Sequence, residues 1–396
     1  MASDFEAIVK KAVESREIAG AVFLAADKSG KFQYSGVFGY SSLEPGAEKT
    51  LQDDALFTLM SGTKLITTIC ALQVVEDGKI GLDDDVSSLL PSLAAQPVLV
   101  GFADDGAPQF EPRRNPITLR HLLTHSSGVG YQFMDPDLAR WAQVTGRPDV
   151  WNSRTSAKLE ETFDSPLLFQ PGEGWRYGAG VDWAGRVVEV LTGQSLEDHV
   201  RERILKPLGV DGLSFFPERR PELASRLFPT LPVRSPETGK IVHGAFQAKK
   251  EVDCKGGHGL HGDVKTYLRV LQSLLADDGV LLKSETVAAM SLPQLTPASK
   301  KELLQITKDT TYWVGYFPET EEWDFGLGGL LVDGDGDEYR KRGALLWGGM
   351  YNMSWILDRK AGVCAVVGTQ FLPTGDFPMK KIVHAFEQFV YANAQA

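Results

Sequence analysis

The sequence has few cysteines: three in 396 residues, at Cys70, Cys254 and Cys364. They are far apart and odd in number, and they lack the close pairs that are typical of structural zinc sites. The pattern therefore excludes a disulfide framework and a cysteine-bound metal. Reduced thiols are usual inside cells, so we expect a cytoplasmic location.

Long hydrophobic runs are also missing. No apolar stretch approaches the roughly 18 to 20 residues that a membrane-spanning helix needs. The first twenty residues, MASDFEAIVKKAVESREIAG, are amphipathic and of mixed charge, without the basic start and apolar block of a secretory signal. We interpret them as a first helix and expect no membrane partner.

Clustered positive charge is the third absence. The net charge is −11, and the lysines and arginines are dispersed along the chain. Binding to a phosphate backbone needs grouped basic residues, so nucleic acid is excluded as a partner. The chain is 43% hydrophobic and 23% charged, which is typical of a globular protein with a sizeable core.

Strand and helix patterns alternate unevenly along the chain. Residues 20–42 read as a β-hairpin, 61–78 as a long buried helix, 263–277 as another helix, and 379–396 as an amphipathic final helix. Further helical patterns occupy 117–125 and 177–205. Strand-like patterns occupy 325–332, 342–358 and 361–372. The polar segment 296–324 is predicted to be a mobile loop or lid. The fold class is therefore α+β. Residues 1–80 and 250–396 are predicted to form a sheet domain flanked by the terminal helices, and 81–249 a mostly helical inserted domain.

Ser61-Gly62-Thr63-Lys64 is an S-x-x-K sequence at the predicted start of the long helix. Residues three apart share one helical face, so the Lys64 amine can reach the Ser61 hydroxyl. A serine hydroxyl becomes a good nucleophile when a nearby base accepts its proton. The simpler alternative is a helix cap followed by a surface lysine, but the largely apolar stretch after Lys64 predicts that this lysine is enclosed.

Tyr177 lies in the glycine-flanked loop Trp175-Arg176-Tyr177-Gly178-Ala179-Gly180, ahead of a predicted helix. A tyrosine in such a loop can project into a cleft and act as a general base beside a lysine. Alternatively, it packs against the neighbouring tryptophans.

Trp347-Gly348-Gly349-Met350-Tyr351 lies within a predicted strand. Two glycines in a strand leave the edge backbone bare and allow close approach of a ligand. A backbone N–H here could form an oxyanion hole together with that of Ser61. A β-bulge is the alternative interpretation.

Together and in this order, these segments resemble the serine β-lactamase and penicillin-binding-protein superfamily. The resemblance is strongest to its family VIII-like esterase branch and to fungal polyketide transesterases that handle statin side chains. It extends from KAVESREIAGAVFLA through ITLRHLLTHSSGV to WGGMYNMSWILDRKAGVC. The resemblance implies a β-lactamase/transpeptidase-like fold with the active site between its two domains. It also implies that Ser61 is the nucleophile, that Lys64 and Tyr177 share the proton transfers, and that the N–H groups of Ser61 and Met350 bind the oxyanion.

The sequence departs from the penicillin-recognising pattern at two positions. Trp347-Gly348-Gly349 replaces the usual Lys-Thr-Gly, and Ala179 stands where an asparagine is usual. The anchor for a β-lactam carboxylate is therefore missing, and a flat apolar wall takes its place. We expect a hydrophobic substrate pocket at Trp347, Gly348 and Gly349, with further aromatic residues from the middle of the chain: Tyr131, Phe133, Trp141 and Trp151.

The expected function is hydrolysis of a hydrophobic ester, such as a polyketide or statin-like side-chain ester. The alternative is an acyltransferase that moves an acyl group from a thioester donor, including one on an acyl-carrier protein, to a polyketide hydroxyl. Trp-Gly-Gly-Met-Tyr is more similar to the esterases, because the statin transesterases have Phe-Gly-Gly-Gly-Pro there, whereas the rest of the chain is more similar to the transesterases. We favour hydrolysis, a monomer and no cofactor.

Two other classes fit less well. An α/β-hydrolase would carry a G-x-S-x-G elbow, and the sequence has none. A binding module of the same fold would not need Ser61, Lys64 and Tyr177 together. His121 and His125 lie four apart, but no adjacent glutamate completes an H-E-x-x-H motif, so we expect no metal site.

Overall fold

The computed structural model describes residues 2–147, 157–245 and 251–394. The helices are α1 Ala2–Glu14, α2 Thr63–Glu76, α3 Pro91–Ala94, α4 Leu119–Leu123, α5 Pro136–Thr145, α6 Leu159–Thr162, α7 Gly180–Thr192, α8 Leu196–Val200, α9 Lys206–Leu208, α10 Pro221–Ala224, α11 Val264–Ala276, α12 Ser284–Met290, α13 Pro297–Ile306 and α14 Phe377–Ala394. The strands are β1 Gly20–Asp27, β2 Gln33–Ser42, β3 Lys49–Thr50, β4 Phe57–Thr58, β5 Val98–Phe102, β6 Pro108–Glu111, β7 Leu213–Ser214, β8 Val233–Arg234, β9 Ile241–Val242, β10 His261–Gly262, β11 Trp323–Phe325, β12 Leu330–Val332, β13 Leu345–Gly349, β14 Met353–Asp358 and β15 Val363–Gly368.

The main sheet has eight strands in the order β11-β12-β13-β14-β15-β1-β2-β3. All neighbouring strands are antiparallel. Strands from the beginning and the end of the chain meet where β1 pairs with β15, with Val22 opposite Gly368. The predicted hairpin at 20–42 is β1 and β2. The predicted α+β fold with a sheet built from both ends of the chain is therefore confirmed.

Side chains of the sheet alternate between two apolar layers, as the two-residue period of a strand requires. On β1, Val22 and Leu24 face one layer, while Ala21 and Phe23 face the other. The first layer also holds apolar residues of α2, α7 and α11, and the second holds those of α1 and α14. Both faces of the sheet are thus covered by helices, and α2 is enclosed between the sheet and the inserted region.

The region between α2 and α11 contains short helices and short strand pairs. The helical pattern predicted over 177–205 is two helices rather than one, because Gly193 ends α7 in the left-handed conformation with φ 69°. Ser195 then begins α8 by accepting a hydrogen bond from the Asp198 N–H. A glycine at this position is a common way for a helix to end.

The segment 296–324, predicted as a mobile loop or lid, contains a regular helix. The Thr296 side chain caps α13 by accepting from the Ser299 N–H, and its hydroxyl donates to the Gly172 carbonyl at 2.9 Å. Leu303 is fully buried against the core. The prediction was wrong for Pro297–Ile306, because polar residues on the exposed face of α13 hid its few buried positions, whereas residues 307–322 contain no helix or strand. The continuous strand predicted over 325–332 is likewise interrupted between β11 and β12.

The three cysteines are buried and carry free thiols. Among the helices in the described ranges, none combines the length and apolar composition required to cross a bilayer.

Candidate active site

Ser61 lies in a 3₁₀ turn, Met60–Gly62, that leads directly into α2. Met60 adopts a left-handed conformation with φ 48°, which is uncommon for a residue with a side chain and must be imposed by the surrounding structure. Two hydrogen bonds fix the turn: Leu59 N–H donates to the Leu260 carbonyl at 2.9 Å, and the Tyr267 hydroxyl donates to the Gly62 carbonyl at 2.8 Å. The Ser61 hydroxyl is therefore held on a rigid turn.

Lys64 is buried in the first turn of α2, with 2% of its surface exposed. Its Nζ lies 3.4 Å from Ser61 Oγ, as the three-residue spacing predicted. The same amine donates to the Gly257 carbonyl at 2.8 Å and to the Tyr131 hydroxyl at 3.2 Å. The enclosed lysine expected from the sequence is thus present and lies beside the serine.

A buried carboxylate, Asp182 on α7, organises the next layer of contacts. It accepts from the Tyr131 hydroxyl at 3.0 Å and from the Gly257 N–H at 2.8 Å, and its Oδ1 lies 3.3 Å from His258 Nδ1. Burial alone would raise the pKa of Asp182, but His258, Lys64 and the Gly257 N–H together hold it below its ordinary value. Asp182 is therefore an anion.

Tyr131 is the partner that links Asp182 to Lys64. Burial raises the pKa of Tyr131 well above its ordinary value, and the charge of Asp182 adds to the rise. The Tyr131 hydroxyl thus keeps its proton at neutral pH. The sequence placed Tyr131 only in the pocket wall, whereas in the structure it also contacts the lysine amine.

Tyr177 projects into the same site, but its phenol oxygen is turned to a different partner. The oxygen accepts from Trp347 Nε1 at 3.3 Å, and the Lys64 amine lies 4.7 Å from the centre of the Tyr177 ring. Among the described hydrogen bonds, none joins this phenol to Ser61. The three predicted residues are brought together, although the phenol contacts the lysine through its ring rather than the serine through its oxygen.

The Tyr177 loop is fixed by His125 and by Gly178. The Gly178 N–H donates to His125 Nδ1 at 3.3 Å, and a side chain at Gly178 would place its Cβ 2.0 Å from the Val129 carbonyl oxygen. Burial lowers the pKa of His125 well below its ordinary value, and the charge of Lys64 lowers it further. His125 is therefore neutral and acts as a hydrogen-bond acceptor.

The Trp347-Gly348-Gly349 segment forms the end of β13, close to the serine turn. A Cβ at Gly349 would lie 2.2 Å from the Leu59 carbonyl oxygen, so only glycine allows this close approach. The register of β13 with β14 is continuous and ends at the pair Gly349 and Met353, without the β-bulge considered above. Met350 follows in the turn, beyond the last paired residue, next to the cavity that Ser61 also lines.

The cavity at this site has a volume of about 1140 Å³ and mostly apolar walls. Phe133 lies at its rim with 42% of its surface exposed, whereas Tyr131 is buried. The lining residues are Met60, Ser61, Tyr131, Phe133, Met134, Trp175, Tyr177, Val233, Arg234, Ser235, Pro236, Gly239, His258, Ile306, Tyr312, Trp313, Val314, Phe317, Trp347, Gly348, Gly349, Met350, Leu372, Pro373 and Thr374. Of the seven residues predicted for the substrate pocket, five line this cavity: Tyr131, Phe133, Trp347, Gly348 and Gly349.

Arg234 contributes a cation to the cavity wall, but its guanidinium is already engaged. It forms a two-pronged ion pair with Asp376, which is 2% exposed, and donates to the carbonyls of Gly239 and Glu17. Arg234 therefore fixes the far wall of the cavity.

Other residues singled out from the sequence have separate roles. Trp141 packs against Leu99 and Ala142 and is not among the described residues that line the cavity. Trp151 lies outside the described residues. His121 accepts from the Thr118 N–H through Nδ1, as part of the cap of α4. Within the described ranges, no group of metal-ligating side chains is assembled.

Sequence reasoning missed Asp182, Gly257 and His258. One signal for Asp182 was present: an acidic residue in the apolar run Ala179-Gly180-Val181-Asp182-Trp183, at a position that the helical period turns inward. Gly257 and His258 carry no comparable local signal. A Cβ at Gly257 would lie 2.2 Å from Asp182 Oδ2, so this glycine is required for the contact.

The sequence matches the family described as Beta-lactamase over residues 5–387. It is 41% identical to lovastatin esterase of Penicillium rubens, in an alignment that covers 97% of both chains. It is 38% identical to monacolin J acid methylbutanoyltransferase of Aspergillus terreus, covering 98% of this chain and 95% of that protein. The solved structure of a mutant simvastatin synthase from Aspergillus terreus superposes with a TM-score of 0.91 at 38% identity, covering 100% of this chain and 97% of that one.

These similarities confirm the resemblance inferred from the motifs, including its esterase and transesterase branches. They extend over almost the whole chain and include both a hydrolase and acyltransferases. Both chemical outcomes considered for the sequence are therefore represented among its relatives.

Proposed function

The chain belongs to the beta-lactamase family, and on that premise we propose that it is a serine esterase that cleaves hydrophobic esters through an acyl-enzyme on Ser61. One observation carries the proposal: the buried Lys64 amine lies 3.4 Å from Ser61 Oγ, and Ser61 lines a large apolar cavity. A nucleophile, its base and a hydrophobic binding space are thus contiguous.

In the proposed acylation, Lys64 reacts in its neutral form, after its ammonium has released one proton: the amine accepts the Ser61 proton while Oγ attacks the ester carbonyl. The negative charge that develops on the carbonyl oxygen is stabilised by the backbone N–H groups of Ser61 and Met350. The tetrahedral intermediate collapses, the alcohol leaves with the proton from Lys64, and the acyl group remains on Ser61. Water then attacks the acyl-enzyme by the reverse sequence and releases the acid.

Tyr177 shares the proton transfers in this proposal. Its oxygen accepts from the Trp347 indole, so the phenol O–H is left to donate a hydrogen bond to the leaving oxygen while that oxygen takes its proton from Lys64. Its ring also lies against the amine that becomes a cation during the reaction, where the face of an aromatic ring is favourable.

The proposed substrate is an ester with a bulky apolar part, of the polyketide or statin-like side-chain type. The walls provided by Trp313, Phe317 and Trp347 are flat and apolar, which suits a fused hydrocarbon ring system. Two relatives bear names that refer to lovastatin and to monacolin J acid. Hydrolysis is favoured because the 41% identical relative is an esterase.

Acyl transfer is the second candidate function. An apolar cavity limits access of water to the acyl-enzyme, which favours attack by a bound hydroxyl group, and one relative is a methylbutanoyltransferase. Incubation of the protein with one activated thioester and a panel of hydroxyl acceptors separates the two functions. An esterase releases mainly free acid at every acceptor concentration, whereas a transferase yields new ester in proportion to the acceptor.

The test of the enzymatic proposal is release of alcohol from a chromogenic short-chain ester. We expect Ser61→Ala to release no alcohol. A phosphonate should form a covalent adduct on Ser61 of the wild type and none on the variant. The matched control is Ser273→Ala, a buried serine on α11 whose hydroxyl donates to Asp278 at 2.7 Å. Activity that persists in Ser61→Ala would end the assignment of the nucleophile.

We also propose that the acyl donor is a small ester or thioester, including an acyl-carrier-protein thioester, and that the protein is a cytoplasmic monomer. The buried free thiols are compatible with a reducing compartment. We further propose that residues 1–80 and 250–396 form one domain and 81–249 another, with the site between them. Light scattering tests the oligomeric state, and limited proteolysis tests the division into domains.

A further inference from the structure

Asp182 is fully buried and is surrounded by groups that donate hydrogen bonds to it. The Tyr131 hydroxyl donates to Oδ2 at 3.0 Å, and the Gly257 N–H donates to Oδ1 at 2.8 Å. Both donors belong to residues that also contact the Lys64 amine, through the Tyr131 oxygen and the Gly257 carbonyl. Asp182 is therefore connected to the Lys64 amine in two ways, once through Tyr131 and once through Gly257.

The number of hydrogens on each group restricts how these bonds can run. A tyrosine hydroxyl has one proton, and Tyr131 gives it to Asp182, so towards Lys64 the Tyr131 oxygen can only accept. The Gly257 carbonyl can likewise only accept. A neutral lysine amine has two N–H groups and one lone pair. As an ammonium, Lys64 also donates to Ser61 Oγ, at 3.4 Å. Ser61 is the one partner of the three whose proton is not already committed, so a neutral amine would keep its two N–H groups on the two acceptors and turn its lone pair to Ser61 Oγ.

We propose that Asp182 is a positioning residue that sets the direction of the hydrogen bonds around Lys64, so that the neutral amine presents its lone pair to the Ser61 hydroxyl. This inference rests on the proposed function. The Ser61 proton moves to the Lys64 nitrogen as the bond from Oγ to the acyl carbon forms, and it leaves on the alcohol oxygen when the ester bond breaks. During that interval Asp182 provides a negative charge close to the new ammonium.

An asparagine at this position has the same shape as aspartate but different hydrogens. Its Oδ1 would still accept from the Gly257 N–H, whereas its NH₂ group would donate to the Tyr131 oxygen. The Tyr131 proton would then turn towards Lys64 and occupy the lone pair that the reaction needs. The substitution therefore reverses one hydrogen bond without removing a side chain, which resembles the effect of placing the wrong tautomer beside a catalytic base.

Asp358 offers a matched control elsewhere in the fold. It is also fully buried, and it accepts from the Tyr391 hydroxyl and from the Lys341 and Ala361 N–H groups, each at 2.8 Å. Asp358 lies on β14 and none of these partners lines the substrate cavity. Asp358→Asn therefore reproduces the loss of a buried carboxylate that binds a tyrosine and backbone N–H groups, but away from Lys64.

The experiment compares kcat, KM and the thermal midpoint of the wild type, Asp182→Asn and Asp358→Asn with the same chromogenic ester. We expect kcat of Asp182→Asn to fall by about a hundredfold or more, the usual contribution of general base catalysis, with KM within about threefold of the wild type. Asp358→Asn should keep kcat while losing thermal stability. A folded Asp182→Asn protein with wild-type kcat overturns the inference.

A second variant keeps the inference testable if Asp182→Asn does not fold. Tyr131→Phe removes the oxygen that accepts from Lys64 and leaves the ring in place, and we expect kcat to fall with little change in KM. Wild-type kcat in Tyr131→Phe would equally overturn the inference. Failure of the proposed function has a different signature, because the wild type itself would then release no alcohol and form no adduct on Ser61.

Discussion

Substitution of Gly257 by alanine tests how accurately the Lys64 amine must be held. The added Cβ would lie 2.2 Å from Asp182 Oδ2 and 2.9 Å from the Tyr131 hydroxyl, and contacts below 3.0 Å essentially do not occur. Asp182 is held by several partners, so the Gly257 backbone must move away by about 0.8 Å. Such a shift would lengthen the 2.8 Å hydrogen bond from Lys64 to the Gly257 carbonyl to about 3.6 Å, beyond hydrogen-bond range.

Misplacement of a catalytic group on this scale costs about ten- to a hundredfold in rate. We therefore expect Gly257→Ala to lose that much kcat and to be destabilised by about 1–3 kcal/mol through overpacking. Steady-state kinetics and urea unfolding measure the two effects. The control is Gly185→Ala on α7. Its new methyl would lie 2.9 Å from the end of the Leu196 side chain, which can move aside, and at ordinary contact distances of 3.5 Å from Gly256 and Thr67. The reasoning is refuted if Gly257→Ala retains kcat within about twofold of the wild type.

Two further predictions concern the phenol and the pH dependence of stability. Trp347→Phe keeps a ring in the cavity wall but removes the N–H that donates to Tyr177 at 3.3 Å. Loss of this hydrogen bond, worth about 1 kcal/mol, should lower kcat about fivefold. Steady-state kinetics measures the effect, and an unchanged kcat would contradict it. Burial lowers the pKa of His199 from 6.5 to about 4, helped by Arg203. As the pH falls, His199 is protonated in the unfolded chain before it is protonated in the folded protein. The contribution of neutral His199 to the free energy of unfolding is therefore complete above pH 6.5 and is lost as the pH is lowered towards 4. Urea unfolding at pH 8 and at pH 5 measures how much free energy of unfolding each protein loses between the two pH values. His199→Gln should lose about 1–2 kcal/mol less than the wild type, allowing for solvent screening. An equal loss in both proteins would exclude His199 as the cause of the pH dependence.

The local part of the candidate site could be predicted from the sequence because helical spacing determines it. Ser61 and Lys64 are three residues apart at the start of a helix, so their proximity follows from helix geometry alone. The burial of Lys64 also followed from the apolar residues after it. The resemblance to a known family then brought Tyr177 and the Trp347 segment to the same cleft.

The remaining contacts depend on tertiary packing that no local pattern encodes. Asp182 on α7 meets Tyr131 and Gly257 across 51 and 75 residues of chain, and both partners lie in connecting segments outside the helices and strands. The orientation of the Tyr177 phenol was also beyond prediction, because it depends on a single hydrogen bond from Trp347. Periodicity failed at 296–324 for a different reason: α13 buries few of its side chains.

The pairing of β1 with β15 has a consequence for synthesis of the protein. β1 leaves the ribosome long before β15, and until β15 arrives one edge of β1 has no neighbour in the main sheet. Its residues Gly20–Ala26 are buried in the finished fold, so the nascent hairpin presents an apolar edge that other chains can pair with. Expression yield should therefore respond strongly to chaperones that shield nascent strands.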